Sequence, residues 1–560
     1  MSASRVVLVV LAAFMAALAG ASAPEAMDWR ATEHGNLVTA VRNFEGLAGR
    51  RCGHVGGIWA ATAMVADRLA ILQPTKVKVQ LSNQVLLNCL DGDACENGKG
   101  MIASALEYIQ ENKGVPDRTC MAYVGEKQKC SRFNTCLNCI PVPEVKCEPR
   151  AEFFRYPISS YEEVPVEAAA IRAEVAANGP IACALNDGLY GTIVAYEGET
   201  FTIKHDLGTF FGSKGFTEQS IDAIKECYAA KVELPYRYFD GEVAAFLNVL
   251  TLDAAIQYPR SIFNDGHNTP RTNNHALRNS LRAHHSEETL VTDLADQLAE
   301  NSNGELPKNF SWLNYNGYAV VTPMQSHHNG PTGYCGACYA MASASVFSDR
   351  LKIMRGGANA TDVFISPQNT VDCVRGPATA GCGGGDSSDV FPVWKSIGTV
   401  DETCNVWRNH EQACENKGIA CRQCNGNGEC SEVADGDFDV YKVKEYGFVK
   451  GEEAMMREII ARGPIDCGIG TPPALGEDIY GEDILCDNDT PPKDWEITHD
   501  ISVVGWGETE DGQKYWVIRN SWGTHWGDHG FARVCRGRKQ DGPGGNMKIE
   551  ASCSFVVPDL

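Results

Sequence analysis

Beyond its N-terminus the chain has no apolar run near the roughly 20 residues that a helical membrane span requires, which argues against an integral membrane protein. Grouped basic residues are also missing. Lys and Arg number 49 against 72 Asp and Glu, a formal net charge of −23, and their scatter argues against nucleic acid, whose phosphates call for clustered cations. Low-complexity segments are lacking too, and 44% apolar residues over 560 positions suit two or three packed domains, not a disordered or fibrous chain. No cofactor and no metal is expected. What is abundant is cysteine: 23 of them, an odd number, which in a secreted chain implies a disulfide framework with at least one thiol left over. The opening "MSASRVVLVVLAAFMAALAGASA" carries one Arg, a short apolar run from Val6 to Leu18 and a small-residue end at Ala21-Ser22-Ala23, so residues 1–23 read as a secretory signal peptide. The expected location is the secretory pathway, then lysosome or exterior.

The chain repeats itself. "CGHVGGIWAATAMVADRL" from Cys52 matches "CGACYAMASASVFSDRL" from Cys335, and "VPDRTCMAYVGEKQKCSRFNTCLNC" matches "VDETCNVWRNHEQACENKGIACRQC". "IRAEVAANGPIACAL" matches "MREIIARGPIDCGI", and "FTIKHDLGTFFG" resembles "WEITHDISVVGWG", which pairs His205 with His499. The order is kept, so two copies of one fold are expected. The polar stretch between residues 262 and 304 reads as a linker, and nothing like "RNSWGTHWG" is evident after His205. Within each copy, helical spacing in "YAMASASVFSDRLKIM" and strand patterns in "ISVVGWG" and "YWVIRNSW" predict a helical half joined to a strand-rich half, an α+β fold.

In the second copy Cys338 sits where a glycine-containing loop meets a helix start, whose unpaired N–H groups and dipole stabilise a thiolate. A thiolate attacking an amide also needs a proton shuttle, a group that orients it, and donors for the oxyanion. His499, Asn520 and Gln325 are available for these posts. The bland alternatives are a redox Cys-x-x-Cys pair at Cys335 and Cys338, or zinc ligands at Cys421/Cys424 and Cys136/Cys139, and neither has a use for His499 and "NSWG".

Through "CGACY", "CGGGD", "DETCN", "ARGPIDCGI", "THDISVVGWG" and "RNSWGTHWG", residues 305–560 resemble the papain family of cysteine peptidases, and within it the cathepsin Z branch. The resemblance implies the papain-like two-lobed fold, present twice. It makes Cys338 the nucleophile, His499 the base and acid, Asn520 its orienter, Gln325 an oxyanion donor and Trp522, on the substrate-binding side, the shield over the His–Asn hydrogen bond. Gly384 and Gly385 would offer backbone to an extended peptide. It also implies the pairs Cys335–Cys382, Cys373–Cys414, Cys404–Cys421, Cys424–Cys430 and Cys467–Cys553. That leaves Cys486 with Cys535, and Cys338 as a thiol; the partners of Cys183 and Cys227 stay open.

The cathepsin Z resemblance further implies that the insertion "SHHNGPTGY" with His327 and His328 closes the primed side of the cleft and holds a substrate's C-terminal carboxylate. A solvated loop whose histidines touch nothing is the alternative. The expected activity is therefore a cysteine-type carboxypeptidase acting on peptides or proteins, with a papain-like endopeptidase or a non-catalytic binding or inhibitory protein as rivals. Residues 24–235 read as an inactive copy, with Ile58 at the nucleophile's place and Phe44 at the oxyanion glutamine's, and Cys52 pairs with Cys95 or is a displaced thiol. Residues 236–304 read as a linker or propeptide-like segment, and residues 213–262 fit no part of the family pattern. The first copy is expected to contact the catalytic one as latch, chaperone or substrate platform, a decayed duplicate being the alternative. Sequons at Asn309, Asn359 and Asn488 suggest glycosylation of the second copy.

Overall fold

The computed structural model describes residues 23–46, 52, 55–91, 101–142, 144–241, 306–330, 334–414, 419, 421–424, 429–476 and 483–560. The signal-peptide reading, most of the linker and Cys95 lie outside the described residues. Each copy opens with a helix of 17 residues, α1 (Gly56–Leu72) in the first and α4 (Cys338–Met354) in the second, with α2 (Asn83–Cys89), α3 (Met101–Glu111), α5 (Pro367–Cys373) and α6 (Ser387–Ile397) packed around them. "YAMASASVFSDRLK" is buried on every side, which is why its small residues show no polar face.

Each copy then builds one large sheet. The first uses β1 (Ala26–Asp28), β2 (Ile158–Val164), β3 (Ile181–Leu185), β4 (Tyr190–Glu197), β5 (Thr200–Lys204), β6 (Phe216–Ser220) and β7 (Ile224–Val232), in the order β2-β7-β3-β4-β5-β6 with β1 on β4. The second uses β8 (Phe310–Ser311), β9 (Lys442–Val449), β10 (Ile465–Ile469), β11 (Ile484–Leu485), β12 (His499–Glu508), β13 (Lys514–Arg519), β14 (Phe531–Cys535) and β15 (Cys553–Asp559), in the order β9-β15-β10-β12-β13-β14-β11 with β8 on β12. Apart from β11 the two topologies are the same. Residues 216–232, which matched nothing in the sequence pattern, are thus the closing strands of the first sheet. The first copy also extends past the expected boundary at residue 235: Tyr236–Phe239 pairs antiparallel with Glu152–Arg155.

This register corrects three pairings drawn from sequence. Asp67 accepts from Thr39 N and Oγ1 and pairs with Lys204, as Asp349 accepts from Thr322 N and Oγ1 and pairs with Arg519. Counting from these anchors, Cys338 is matched by Gly56 and not Ile58, because "CGHVG" carries one residue more than "CGAC". Gln325 is matched by Arg42 and not Phe44, since Asn43 bridges Leu207 as Ser326 bridges Trp522. Cys183 faces Gly191 as Cys467 faces Ile501, so the residue matching His499 is Leu189. His205, whose N–H meets the Gly215 carbonyl as that of Asn520 meets Gly530, stands in the asparagine's place. "KHDLG" is therefore the altered counterpart of "RNSWG".

The disulfides follow the duplication. Cys335–Cys382, Cys373–Cys414, Cys404–Cys421, Cys424–Cys430, Cys467–Cys553 and Cys486–Cys535 are all formed. Cys89–Cys130, Cys120–Cys136, Cys139–Cys147 and Cys183–Cys227 repeat four of them in the first copy, and Cys52 is also disulfide-bonded. The redox and zinc alternatives fall with these bonds.

The copies meet through reciprocal contacts between matching residues, as in a two-fold dimer. Thr524 donates to Asp117 while Thr209 donates to Asp401, and Thr524 N meets Thr119 Oγ1 while Thr209 N meets Thr403 Oγ1. Cys139 N meets the His328 carbonyl as Cys424 N meets that of Glu45. Near the axis matching residues differ in sign: Lys78 pairs with Asp362 at 3.2 Å, and Arg118 with Glu402 at 2.7 Å. Burial pushes the Asp362 carboxyl up, but Lys352 and Lys78 outweigh it and hold the carboxyl below the usual carboxylate range.

Lys78→Met should therefore lower stability at pH 7 by about 3 kcal/mol, the low end for breaking a buried pair, because Lys352 remains. A depressed folded pKa contributes stability that is present above the unfolded value of about 3.9 and lost as pH falls through the folded one. Denaturant unfolding of both chains should show a constant gap from neutrality to about pH 5 that closes in stronger acid. A gap that widened in acid would contradict the assignment.

Candidate active site

The N-terminus of α4 places Cys338 at the first helical position, with Ala337 as a cap whose side chain makes no hydrogen bond. Cys338 is fully buried and is the one described cysteine outside a disulfide. Helix α4 packs against β12, whose first residue is His499. The corresponding corner of the first copy is closed: a Cβ added at Gly56 would lie 2.7 Å from the ring of Tyr190, at the start of β4.

His499 Nε2 lies 2.8 Å from Asn520 Oδ1, and the Asn520 oxygen also accepts from Ser521 N at 2.8 Å, which fixes its orientation. An acceptor oxygen facing Nε2 requires the proton there and leaves Nδ1 for exchange. Trp522 covers this pair, its ring centroid 5.1 Å from that of His499 at 33°. The segment carrying Gln325 is zipped to the same loop: Gly523 N donates to the Gln325 carbonyl and His327 N to that of Ser521. The arrangement offers a thiol at a helix start, an imidazole oriented by an amide, and the carboxamide of Gln325 on a segment zipped to the Asn520 loop.

Of the other expected residues, Gly384 has φ +100°, a left-handed conformation that favours glycine, and its carbonyl accepts from Ala380 N. Gly385 lies against Tyr339, where a Cβ would approach the ring to 2.6 Å. The two histidines part company. His327 is fully buried with its ring centroid 6.3 Å from that of His499. His328 turns to the first copy: its Nδ1 lies 3.2 Å from Asn138 Oδ1, its carbonyl takes the Cys139 N–H at 2.7 Å, and its ring stacks on Trp522. The insertion is thus held at His328, and the solvated-loop alternative fails for these two residues.

At the matching places the first copy holds Gly56, Leu189, His205 and Arg42. His205 bonds the Tyr190 carbonyl and Thr217 Oγ1, and burial lowers its pKa, so it is a buried structural histidine. Arg42 pairs with Asp206 and lies over the Trp59 ring. Sequence reasoning missed Arg118, whose NH2 reaches Gln325 Oε1 at 2.6 Å from across the copies. A signal was present, since "PDRTC" and "DETC" carry opposite charges at one repeated position.

A two-lobed α+β fold, with a thiol at the start of a helix that packs against the strand opened by an Asn-oriented histidine, is the architecture of the thiol peptidase class. Residues 23–209 and 306–557 match the family described as papain family cysteine protease, and the chain belongs to that family. Cathepsin Z of Onchocerca volvulus is 36% identical over 264 residues, covering 46% of this chain and 81% of that protein. Cathepsin K of Mus musculus is 30% identical over 232 residues, covering 40% of this chain and 60% of the relative. Among solved structures, the ragweed protease Amb a 11 proform covers 45% of this chain and 66% of its own at 26% identity, with a TM-score of 0.35.

The pairing predicts that the denatured, unreduced chain, treated with iodoacetamide, takes up one label, at Cys338, by peptide mass spectrometry. A second labelled cysteine would break the parity of the 23.

Proposed function

We propose that the second copy is a cysteine carboxypeptidase. The Cys338 thiolate attacks the scissile carbonyl, His499 takes the thiol proton and returns it to the leaving amine, Asn520 orients His499, and Gln325 donates to the oxyanion. Water then hydrolyses the thioester. The observation that carries this reading is the 2.8 Å bond between His499 and Asn520 under Trp522, beside a helix that begins at a cysteine thiol. Gly384 and Gly385 hold the extended substrate. The first copy, with Gly56 and Leu189 at the places of nucleophile and base, is inert. The dense disulfides suit an oxidising, secretory or lysosomal setting, and the sequon residues Asn309, Asn359 and Asn488 are exposed and open to glycosylation.

The C-terminal preference rests on His327, which stays near His499 while His328 anchors the loop. A protonated His327 gives a charge-assisted hydrogen bond to a substrate's terminal carboxylate. Such a bond is worth about 1.5–3 kcal/mol, or roughly 10- to 100-fold in rate.

Cys338→Ala should abolish peptide hydrolysis, and Gly56→Cys added to that chain should not restore it. Hydrolysis surviving the first substitution would refute the assignment. Against two peptides differing only in a free or amidated C-terminus, the wild type should favour the free acid by about tenfold or more, and His327→Ala should bring the ratio toward unity. Equal turnover by the wild type would leave an endopeptidase.

A further inference from the structure

The contact between Arg118 and Gln325 joins the inert copy to the candidate oxyanion site. Arg118 is held from several sides. Its NH1 donates to Gln80 Oε1 at 2.8 Å, its NH2 to both oxygens of Glu402 at 2.7 and 2.8 Å, and its own carbonyl accepts from Asn329 Nδ2 at 3.0 Å. The neighbouring Asp117 takes hydrogen bonds from Thr524 and Tyr156, so the segment is tied to both copies. The Arg118 side chain is 24% exposed and that of Glu402 10%, so this is an interdomain contact and not a loose surface pair.

A guanidinium has five donors and no acceptor, so the end of a carboxamide turned toward it must be the oxygen. With Oε1 of Gln325 fixed on Arg118 at 2.6 Å, the amide's only donor, Nε2, is turned away from Arg118. An unfixed carboxamide can rotate by half a turn and present oxygen instead of N–H to the developing oxyanion, which would repel it. Glu402 neutralises the arginine, so its contribution is orientation more than charge.

The contact is one-sided. Across the axis the residue matching Gln325 is Arg42, which bonds to Asp206, Thr62 and the Trp59 carbonyl, and no bond joins it to Glu402 among those of the described residues.

We propose that Arg118, supplied by the inert copy, is a positioning residue for the peptidase site: it sets the rotamer of Gln325 so that Nε2 faces the oxyanion. The inference rests on the oxyanion role proposed for Gln325. On this reading the disarmed copy is kept because it completes the armed one.

The test uses the full chain with Arg118→Met, Arg118→Lys, Gln325→Ala and the Met/Ala double variant. Two readouts are compared: kcat and KM on a peptide with a free C-terminus, and the pH-dependent rate of Cys338 alkylation by iodoacetamide. Alkylation needs the thiolate and imidazole but forms no oxyanion. Removing an oxyanion donor costs roughly 100- to 1000-fold in kcat, so a mispositioned donor should cost about tenfold or more. Arg118→Met is expected to lose that factor in kcat with KM and the alkylation profile unchanged, Arg118→Lys to recover most of it, and the double variant to be no slower than Gln325→Ala.

Wild-type kcat in Arg118→Met beside an impaired Gln325→Ala would overturn this inference alone. So would a parallel loss of alkylation, which marks a merely structural role, or a further loss in the double variant, which means Arg118 does not act through Gln325. A Gln325→Ala chain with wild-type kcat would remove the oxyanion reading itself.

Discussion

One buried carboxylate sets the geometry on which the candidate site depends. Asp349 lies on the helix that begins at Cys338, accepts from the backbone and hydroxyl of Thr322, and pairs at 2.6 Å with Arg519. Thr322 stands three residues before Gln325, and Arg519 immediately precedes Asn520. Three segments that each bring one polar group to the site are thus registered on a single side chain. Its charge is fully buried, and leaving such a group without its partner costs about 3–5 kcal/mol, so the three segments cannot drift apart cheaply.

The first copy keeps this device with other residues around it. Asp67 still accepts from Thr39 and pairs with Lys204, so α1, the N-terminal segment and the end of β5 hold the same relation. At the places those segments serve stand Gly56, Arg42 and His205. A fold held by buried ion pairs and disulfides tolerates loss of its reactive groups, because those groups contribute little to its packing.

The pairing of the copies turns on the same duplication. Matching residues face one another across an axis, so an identical charge on both sides would repel; Lys78 against Asp362 and Arg118 against Glu402 resolve this by opposite signs. Duplication followed by divergence can supply such pairs at one repeated position, which gives the interface a direction that a symmetric dimer lacks. The arginine of the first copy meets the glutamine of the second, and the reverse contact is not among those of the described residues.

The duplication, the disulfide ladder of the second copy, the one described thiol at Cys338 and the grouping of His499 with Asn520 and Trp522 were legible in the sequence, because helix starts, strand patterns and cysteine spacing are local signals that survive in the linear order. Ile58 and His205 were misplaced because the first copy inserts one residue before α1 and replaces "NSW" with "HDL", so similarity of letters slid the alignment while the hydrogen-bond register did not move; Phe44 was misplaced although Arg42 and Cys52 keep the ten-residue spacing of Gln325 and Cys335. The closing strands at 216–232 escaped notice since their letters had diverged while their backbone pairing had not. The sequence by itself determined the family, the duplication and the cysteine parity. Only the tertiary structure decided which copy's side chains meet, turning His328 to Asn138 and Arg118 to Gln325, because contacts between residues some 200 positions apart depend on how two finished surfaces pack and leave no period in the chain.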